Sequence, residues 1–250
     1  MNLTLGKYIP RDSIVHNIDP RAKLISLILQ ITAVMLVPNL FFYLLPFTLL
    51  LILMALSKIK SIVFLRSLKS IWFLIFFAAV IQYFERGILD AFFIIFRLTL
   101  IFLFASLLTF TTPPLMMSRA IVDILKYFGV KEESREDFGM MLSISIRFIP
   151  VLLDETDRII KAQLARGAKY QEKGLRNKLS AITSIVIPLL ISSLRKAEEL
   201  SLALQARKYG LVRRTHYYSL QWKKLDTIYI LLNAVVIALI IFFKFFNLGY

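Results

Sequence analysis

Long apolar runs separated by short polar breaks dominate this chain, and the run lengths predict its elements. From Leu24 to Leu56 no charged residue appears, a stretch too long for one membrane span of about 20 residues. Pro38-Asn39 divides it, which predicts two helices, about 22–37 and 40–56, joined by a tight turn. Both are short for a hydrocarbon layer of about 30 Å, so local thinning or flanking polar residues must make up the difference. Ahead of them, Asp19 is placed to cap a helix whose first turn carries Pro20, where a missing N–H costs nothing. A basic link with Lys58, Lys60, Arg66 and Lys69 follows, then a third run from Ser70 to Phe84. After Glu85-Arg86-Gly87 a fourth runs over about 88–110, and a last one over about 227–243.

Between Thr111 and Lys224 the pattern changes. Residues 115–128 predict a short amphipathic helix and residues 129–139 a charged link. A long helix is expected over about 140–168, passing through Arg147-Phe148-Ile149-Pro150, and a partner over 179–207, passing through Pro188. A basic turn, 170–178, joins them around Gly174. Each long helix is apolar in its first half and charged in its second, a pattern suited to lying along a membrane surface or slanting into it. The division expected is 1–110 for an N-terminal segment with four spans, 111–224 for the long-helix region, and 225–250 for the last span. The fold class is all-α: a multi-pass membrane protein with about five transmembrane helices and long helices on the cytoplasmic side.

Composition agrees. Hydrophobic residues make up 58% of the 250 positions, where soluble domains hold about 45–50%, and the mean hydropathy is +0.71. The net charge of +15 would point to nucleic acid in a soluble chain, but its distribution points to a membrane instead. Residues 111–224 hold 20 of the 31 Lys and Arg together with 11 of the 16 Asp and Glu. The amino end and the 57–69 link are also basic, whereas the turns at 38–39 and 85–90 and the carboxyl tip are poor in Lys and Arg. Positive-inside logic therefore puts the amino end and the long-helix region in the cytoplasm, and five spans put the carboxyl end outside. Tyr217, Tyr218, Trp222, Lys223 and Lys224 mark an interface before the last span. No cleavable signal peptide is expected, since the first apolar run begins only after Lys23.

The candidate chemistry is sparse. The absence of cysteine excludes disulfides and thiolate metal sites, and His16 and His216 are the only histidines, so neither a metal nor a cofactor is expected. Arg97 lies inside the fourth run, where a cation is expensive. Asp90, seven residues earlier on the same face, is its expected partner in a structural ion pair. No G-x-x-x-x-G-K-[ST] phosphate loop is present, so any ATP hydrolysis belongs to a partner.

What repeats is a tip. Ala162-Gln163-Leu164-Ala165-Arg166 and Ala203-Leu204-Gln205-Ala206-Arg207 each close a long helix, with Asp157 and Glu198 nine residues before their arginines. Alanines three apart share a face, giving a smooth side with one cation whose planar fork suits carboxylates or carbonyl oxygens. One such run is ordinary solvated helix surface, because alanine and arginine are good helix formers. Two suggest two similar partners.

These residues resemble the transmembrane T component of energy-coupling factor (ECF) transporters, the prokaryotic uptake machines for vitamins and metal ions. The resemblance covers most of the chain: Asp19-Pro20-Arg21-Ala22-Lys23, Phe110-Thr111-Thr112-Pro113, Arg147-Phe148-Ile149-Pro150 and the two tips. Ala165-Arg166-Gly167 matches the family's Ala-Arg-Gly pattern. Ala206-Arg207-Lys208 departs from it, with Lys208 where a small residue is common. The resemblance implies a non-catalytic subunit in a prokaryotic cell membrane, whose tips dock into two ABC-type ATPase subunits, A and A′. The remaining coupling-helix surface and the spans would then hold a substrate-binding S component among the lipids. Two rivals find little support in these residues. An intramembrane lipid-modifying enzyme needs acids or histidines clustered at headgroup depth, and the spans hold almost none. A self-contained secondary transporter needs broken helices and polar midplane sites, for which Arg97 and Asp90 alone are thin support.

Overall fold

The computed structural model describes residues 8–166, 175–209 and 220–247, and every regular element among them is helical. The chain divides into two compact units, Met1–Gly139 with Leu220–Tyr250, and Met140–Ser219. The first unit holds α1 (Pro20–Leu36), α2 (Leu44–Ser57, entered through a 3₁₀ turn at Leu40–Tyr43), α3 (Ser61–Arg86), α4 (Ile88–Thr111) and α5 (Pro114–Ile124). The second holds most of α6 (Glu132–Ala165) and all of α7 (Leu175–Ala206). The chain then returns to the first unit for α8 (Lys224–Asn247).

Helix starts follow local chemistry. The Asp19 carboxylate caps α1 by accepting the Arg21 N–H at 2.8 Å, with Pro20 in the first turn. α3 begins at Ser61, so Arg66 and Lys69 of the expected basic link are helical instead. Both are good helix formers and both are exposed, so the helix extends past the apolar run while their long side chains reach toward water. The expected charged link at 129–139 is likewise mostly the start of α6, whose first turn carries Glu132 and Glu133, acids that favour the positive end of a helix. Gly167, the rest of the basic turn around Gly174, Tyr217 and Tyr218 lie outside the described residues.

α3 and α4 form a hairpin that turns on a single residue. Gly87 has φ +97° and ψ −177°, a region open essentially to glycine alone. A Cβ there would meet nothing within 4 Å, so the requirement for glycine comes from the backbone rather than from packing.

Four helical stretches, Leu40–Ser57, Ser61–Arg86, Ile88–Thr111 and Lys224–Phe245, are long and apolar enough to cross a membrane. α1, at 17 residues, rises about 26 Å, and its path follows from its contacts. The Lys23 ammonium at the start of α1 donates to the Thr111 carbonyl at the end of α4, 3.1 Å away. Since α2, α3 and α4 make three crossings, the chain returns to that level only if α1 traverses the same depth. α1 packs on α8, α4 and α5, which is why a helix carrying buried Lys23, Ser26 and Gln30 can run there. The core around it includes Val34, Leu50, Phe64, Leu100, Phe104 and Ile240, with the Phe64 and Phe110 rings edge to face at 5.3 Å.

The expected Asp90–Arg97 ion pair does not form. Arg97 Nε donates to the Tyr43 hydroxyl at 3.3 Å, and the two charged residues only line a common cavity. Tyr43 is nearly fully buried between α2 and α4, its ring stacked on Phe96 and edge-on to Phe93. It therefore holds a hydroxyl where the cation can use it.

Candidate functional site

The two tips belong to the second unit. α6 runs unbroken through Pro150 and α7 through Pro188, each at the cost of one i→i−4 hydrogen bond. Two bridges tie the helices together. Glu155 Oε2 accepts from the Lys196 ammonium at 2.9 Å and Oε1 from the Ser192 hydroxyl at 3.2 Å. Eight residues on, Gln163 Nε2 donates to the Ser184 carbonyl at 3.4 Å. As residue numbers rise on α6 they fall on α7, so the pair runs antiparallel. The Lys196 and Ser192 bonds hold the Glu155 carboxyl below its ordinary range.

Antiparallel pairing sends the tips apart. Arg166 lies 11 residues beyond Glu155 and Arg207 lies 15 beyond Ser192, in opposite directions, which at 1.5 Å per residue separates them by up to roughly 40 Å. Ala162, Ala165, Arg166, Ala203, Ala206, Arg207 and Lys208 are all exposed. Among the described residues neither guanidinium has a side-chain hydrogen bond or ion pair. Each tip thus presents a smooth alanine side and a full set of five N–H donors.

The second tip ends in a defined cap. The Lys208 N–H donates to the Gln205 carbonyl at 2.9 Å and the Tyr209 N–H to the Leu204 carbonyl at 3.0 Å, the paired bonds of a Schellman motif. The motif places Lys208 in the left-handed region, φ +56°, where glycine is the favoured residue and a Cβ costs about 1–2 kcal/mol. At this tip, then, the small residue common after the arginine would serve the backbone as well as any contact. Lys208→Gly is expected to tighten the helix end by about 1 kcal/mol, roughly fivefold in its opening equilibrium. Amide hydrogen exchange over Gln205–Tyr209 measures this, and slower exchange is the expected result.

Among the described residues α7 also carries an exposed apolar stripe. Leu179, Ile182, Val186, Leu190 and Leu194 recur every three or four residues, each more than two-fifths exposed. They lie largely opposite the side that bonds α6 through Ser184, Ser192 and Lys196.

In the first unit the Asp19-Pro20-Arg21-Ala22-Lys23 segment forms a clasp at the ends of four helices. Asp226, fully buried, accepts the Asp19 N–H through Oδ1 at 2.8 Å and the Lys223 N–H through Oδ2 at 2.6 Å. One carboxylate thereby caps α8 and pins the start of α1 beside it. Asp19 holds the Arg21 side chain through Nε at 3.1 Å and Nη2 at 2.9 Å. Arg21 reaches on to the Leu220 carbonyl, to Asp123 of α5 at 3.4 Å, and over the Trp222 ring. Lys23 donates to the Thr111 carbonyl, the Thr112 hydroxyl and the His16 carbonyl. Deeper in, Gln30 Nε2 donates to Asn233 Oδ1 at 2.9 Å and to the Tyr229 hydroxyl at 3.2 Å, while Asn233 Nδ2 donates to the Tyr229 carbonyl.

Sequence reasoning marked the Asp19–Lys23 segment but missed Asp226, Gln30, Tyr229 and Asn233. The available signal was a polar side chain interrupting an apolar run, which in a membrane helix calls for a partner.

Residues 11–218 match the family described as cobalt transport protein, CbiQ. The chain is 44% identical to the energy-coupling factor transporter transmembrane protein EcfT of Thermotoga maritima, over 97% of this chain and 94% of the relative. It is 38% identical to the protein of the same name from Brevibacillus brevis, over 96% and 97% of the two chains, and 31% identical to that of Bacillus subtilis, over 97% and 98%. Matched over nearly its full length, and built from apolar helices of spanning length, the chain belongs to the family of transmembrane T components of energy-coupling factor transporters.

Proposed function

We propose that this chain is the membrane scaffold and energy-coupling subunit of an ECF-type ABC importer. It transmits ATP-driven motion of two ATPase subunits, A and A′, to a substrate-binding S component for vitamin or metal-ion uptake. The observation that carries this reading is the pair of exposed Ala-x-x-Ala-Arg tips at opposite ends of one antiparallel helix pair. One tip engages each ATPase, Ala165-Arg166-Gly167 in one and Ala206-Arg207-Lys208 in the other, with each arginine meeting carboxylate or carbonyl groups.

ATP binding draws the ATPases together, and ATP shifts that equilibrium because it binds the joined state better than the separated one. The tips follow the ATPases. The Glu155 bridges to Lys196 and Ser192 make α6 and α7 one lever, so motion at the tips is carried along the helices to the S component, which rests on the apolar stripe of α7. The amino end and the coupling region face the cytoplasm, the side that their basic excess favours, and hydrolysis is left to the ATPases.

Reconstitution tests the assignment. Proteoliposomes holding the chain, both ATPases and an S component are expected to take up that component's substrate only with ATP, and omission of any one subunit is expected to abolish uptake. Substrate binding or uptake by the chain alone would overturn the reading and point to a self-contained transporter.

A further inference from the structure

Where the end of α3, the start of α4 and the turn after α1 meet, a cavity of about 230 Å³ is lined by Val37, Pro38, Gln82, Arg86, Asp90, Phe93, Ile94 and Arg97. Its walls hold two guanidiniums against one carboxylate, a net charge of +1, with an amide beside them. At about 30 Å³ per water, the space takes roughly eight waters, or one tetrahedral anion with part of its hydration. Neither the tips nor the clasp contributes a residue to it.

The donors are out of balance with the acceptors. Arg97 sits nine residues into α4, about 14 Å below the helix start, at a depth where an unpaired cation is costly. Among the described residues its one hydrogen bond runs from Nε to the Tyr43 hydroxyl. That leaves four of its five N–H donors without a protein acceptor beside an open cavity. Arg86, the last residue of α3, is exposed at the rim, at the level where a helix end meets headgroups. Asp90 forms no ion pair with either arginine within 4.0 Å among the described residues, although all three line the same walls.

We propose that this cavity is a binding site for the phosphate group of an anionic membrane lipid. The phosphate is held between Arg86 at the rim and Arg97 below, which line the same cavity, since guanidinium forks bind phosphate oxygens in pairs. The place of Arg86 at the headgroup level favours a lipid over a solute, because a headgroup anchored there is already present at high local concentration. The net positive charge selects a lipid with net negative charge over a zwitterionic one.

Native mass spectrometry on the full chain within its transporter complex tests this, with phosphatidylglycerol, phosphatidylcholine and inorganic phosphate as separate probes. Phosphatidylglycerol is expected to stay bound at one molecule per chain, at least tenfold more tightly than phosphatidylcholine. R86Q with R97Q is expected to lower that affinity at least tenfold. Asp90→Asn, which removes the opposing charge and keeps the side-chain shape, is expected to raise it several-fold, so the site remains testable if the double variant assembles poorly. Displacement of phosphatidylglycerol by millimolar inorganic phosphate would confirm phosphate recognition at the same arginines. Equal retention of both lipids, or affinities unchanged in both R86Q with R97Q and D90N, would overturn the proposal.

Discussion

Asp226→Ala is expected to lower the thermal midpoint of the isolated chain by many degrees and to reduce its yield in membranes. The carboxylate is fully buried and accepts two backbone N–H groups, that of Asp19 at 2.8 Å and that of Lys223 at 2.6 Å. Removing it strands both donors. A buried donor left without its acceptor costs about 1–3 kcal/mol, so the pair costs about 2–6 kcal/mol, well above the usual effect of a point substitution. The loss also falls where α1 and α8 are pinned together, so it frees the Asp19 end of the clasp and with it the Arg21 contacts to Leu220, Asp123 and Trp222. Asp226→Asn keeps one acceptor oxygen and turns an NH₂ toward the other N–H, so it is expected to fall between wild type and alanine. A midpoint unchanged in the alanine variant would show that water replaces the carboxylate and that the clasp contributes nothing to stability.

Gln30 and Asn233 form the smaller, deeper counterpart of that clasp. An interhelical side-chain hydrogen bond inside a membrane is worth about 0.6 kcal/mol on average, which is why the end clasp, made of charges and backbone amides, dominates.

The features read correctly from sequence are those set by neighbouring residues. The Asp19 cap with Pro20 after it, the break at Pro38-Asn39, the break at Glu85-Arg86-Gly87 and the apolar spans each follow from a few adjacent positions, and each stands in the structure. α3 and α6 start earlier than the charge pattern predicts, because charge alone does not mark a linker. Arg, Lys and Glu are strong helix formers, and nothing in their polarity ends a helix. The partner of Arg97 is hidden for a different reason: Asp90 is near in sequence, whereas Tyr43 is 54 residues away and reaches Arg97 only once α2 packs on α4. Asp226 was invisible on the same ground, its partner Asp19 being 207 residues distant. At the tips, the sequence shows the repeated alanines and arginines. It could not give the left-handed backbone at Lys208, since lysine is an uncommon residue there, nor the antiparallel register that sends Arg166 and Arg207 to opposite ends.

That register sets the size of the second effect. Under the proposed function, Arg166→Ala and Arg207→Ala each remove the cation at one ATPase contact, and truncating such a residue commonly costs about 2 kcal/mol or more, roughly thirtyfold in affinity. Substitutions more than about 10 Å apart with no shared partner add. Tips separated by up to roughly 40 Å therefore give the double variant a loss of about a thousandfold in affinity for the ATPase pair. Each single variant is expected to hold one ATPase and lose the other. Both arginines are exposed and unpaired among the described residues, so their removal is expected to leave the chain's own stability within about 0.5 kcal/mol. This separates the prediction from misfolding: assembly is lost while the thermal midpoint is kept. Arg→Lys at either tip keeps the charge but not the planar fork, and it is expected to leave the ATPase bound while lowering uptake per ATP hydrolysed. Affinity measured by surface binding to detergent-purified chain, alongside uptake in proteoliposomes, reads both quantities. Full assembly and uptake in the double alanine variant would remove the tips from the ATPase interface, and the exposed stripe of α7 would then be the next surface of this unit to test.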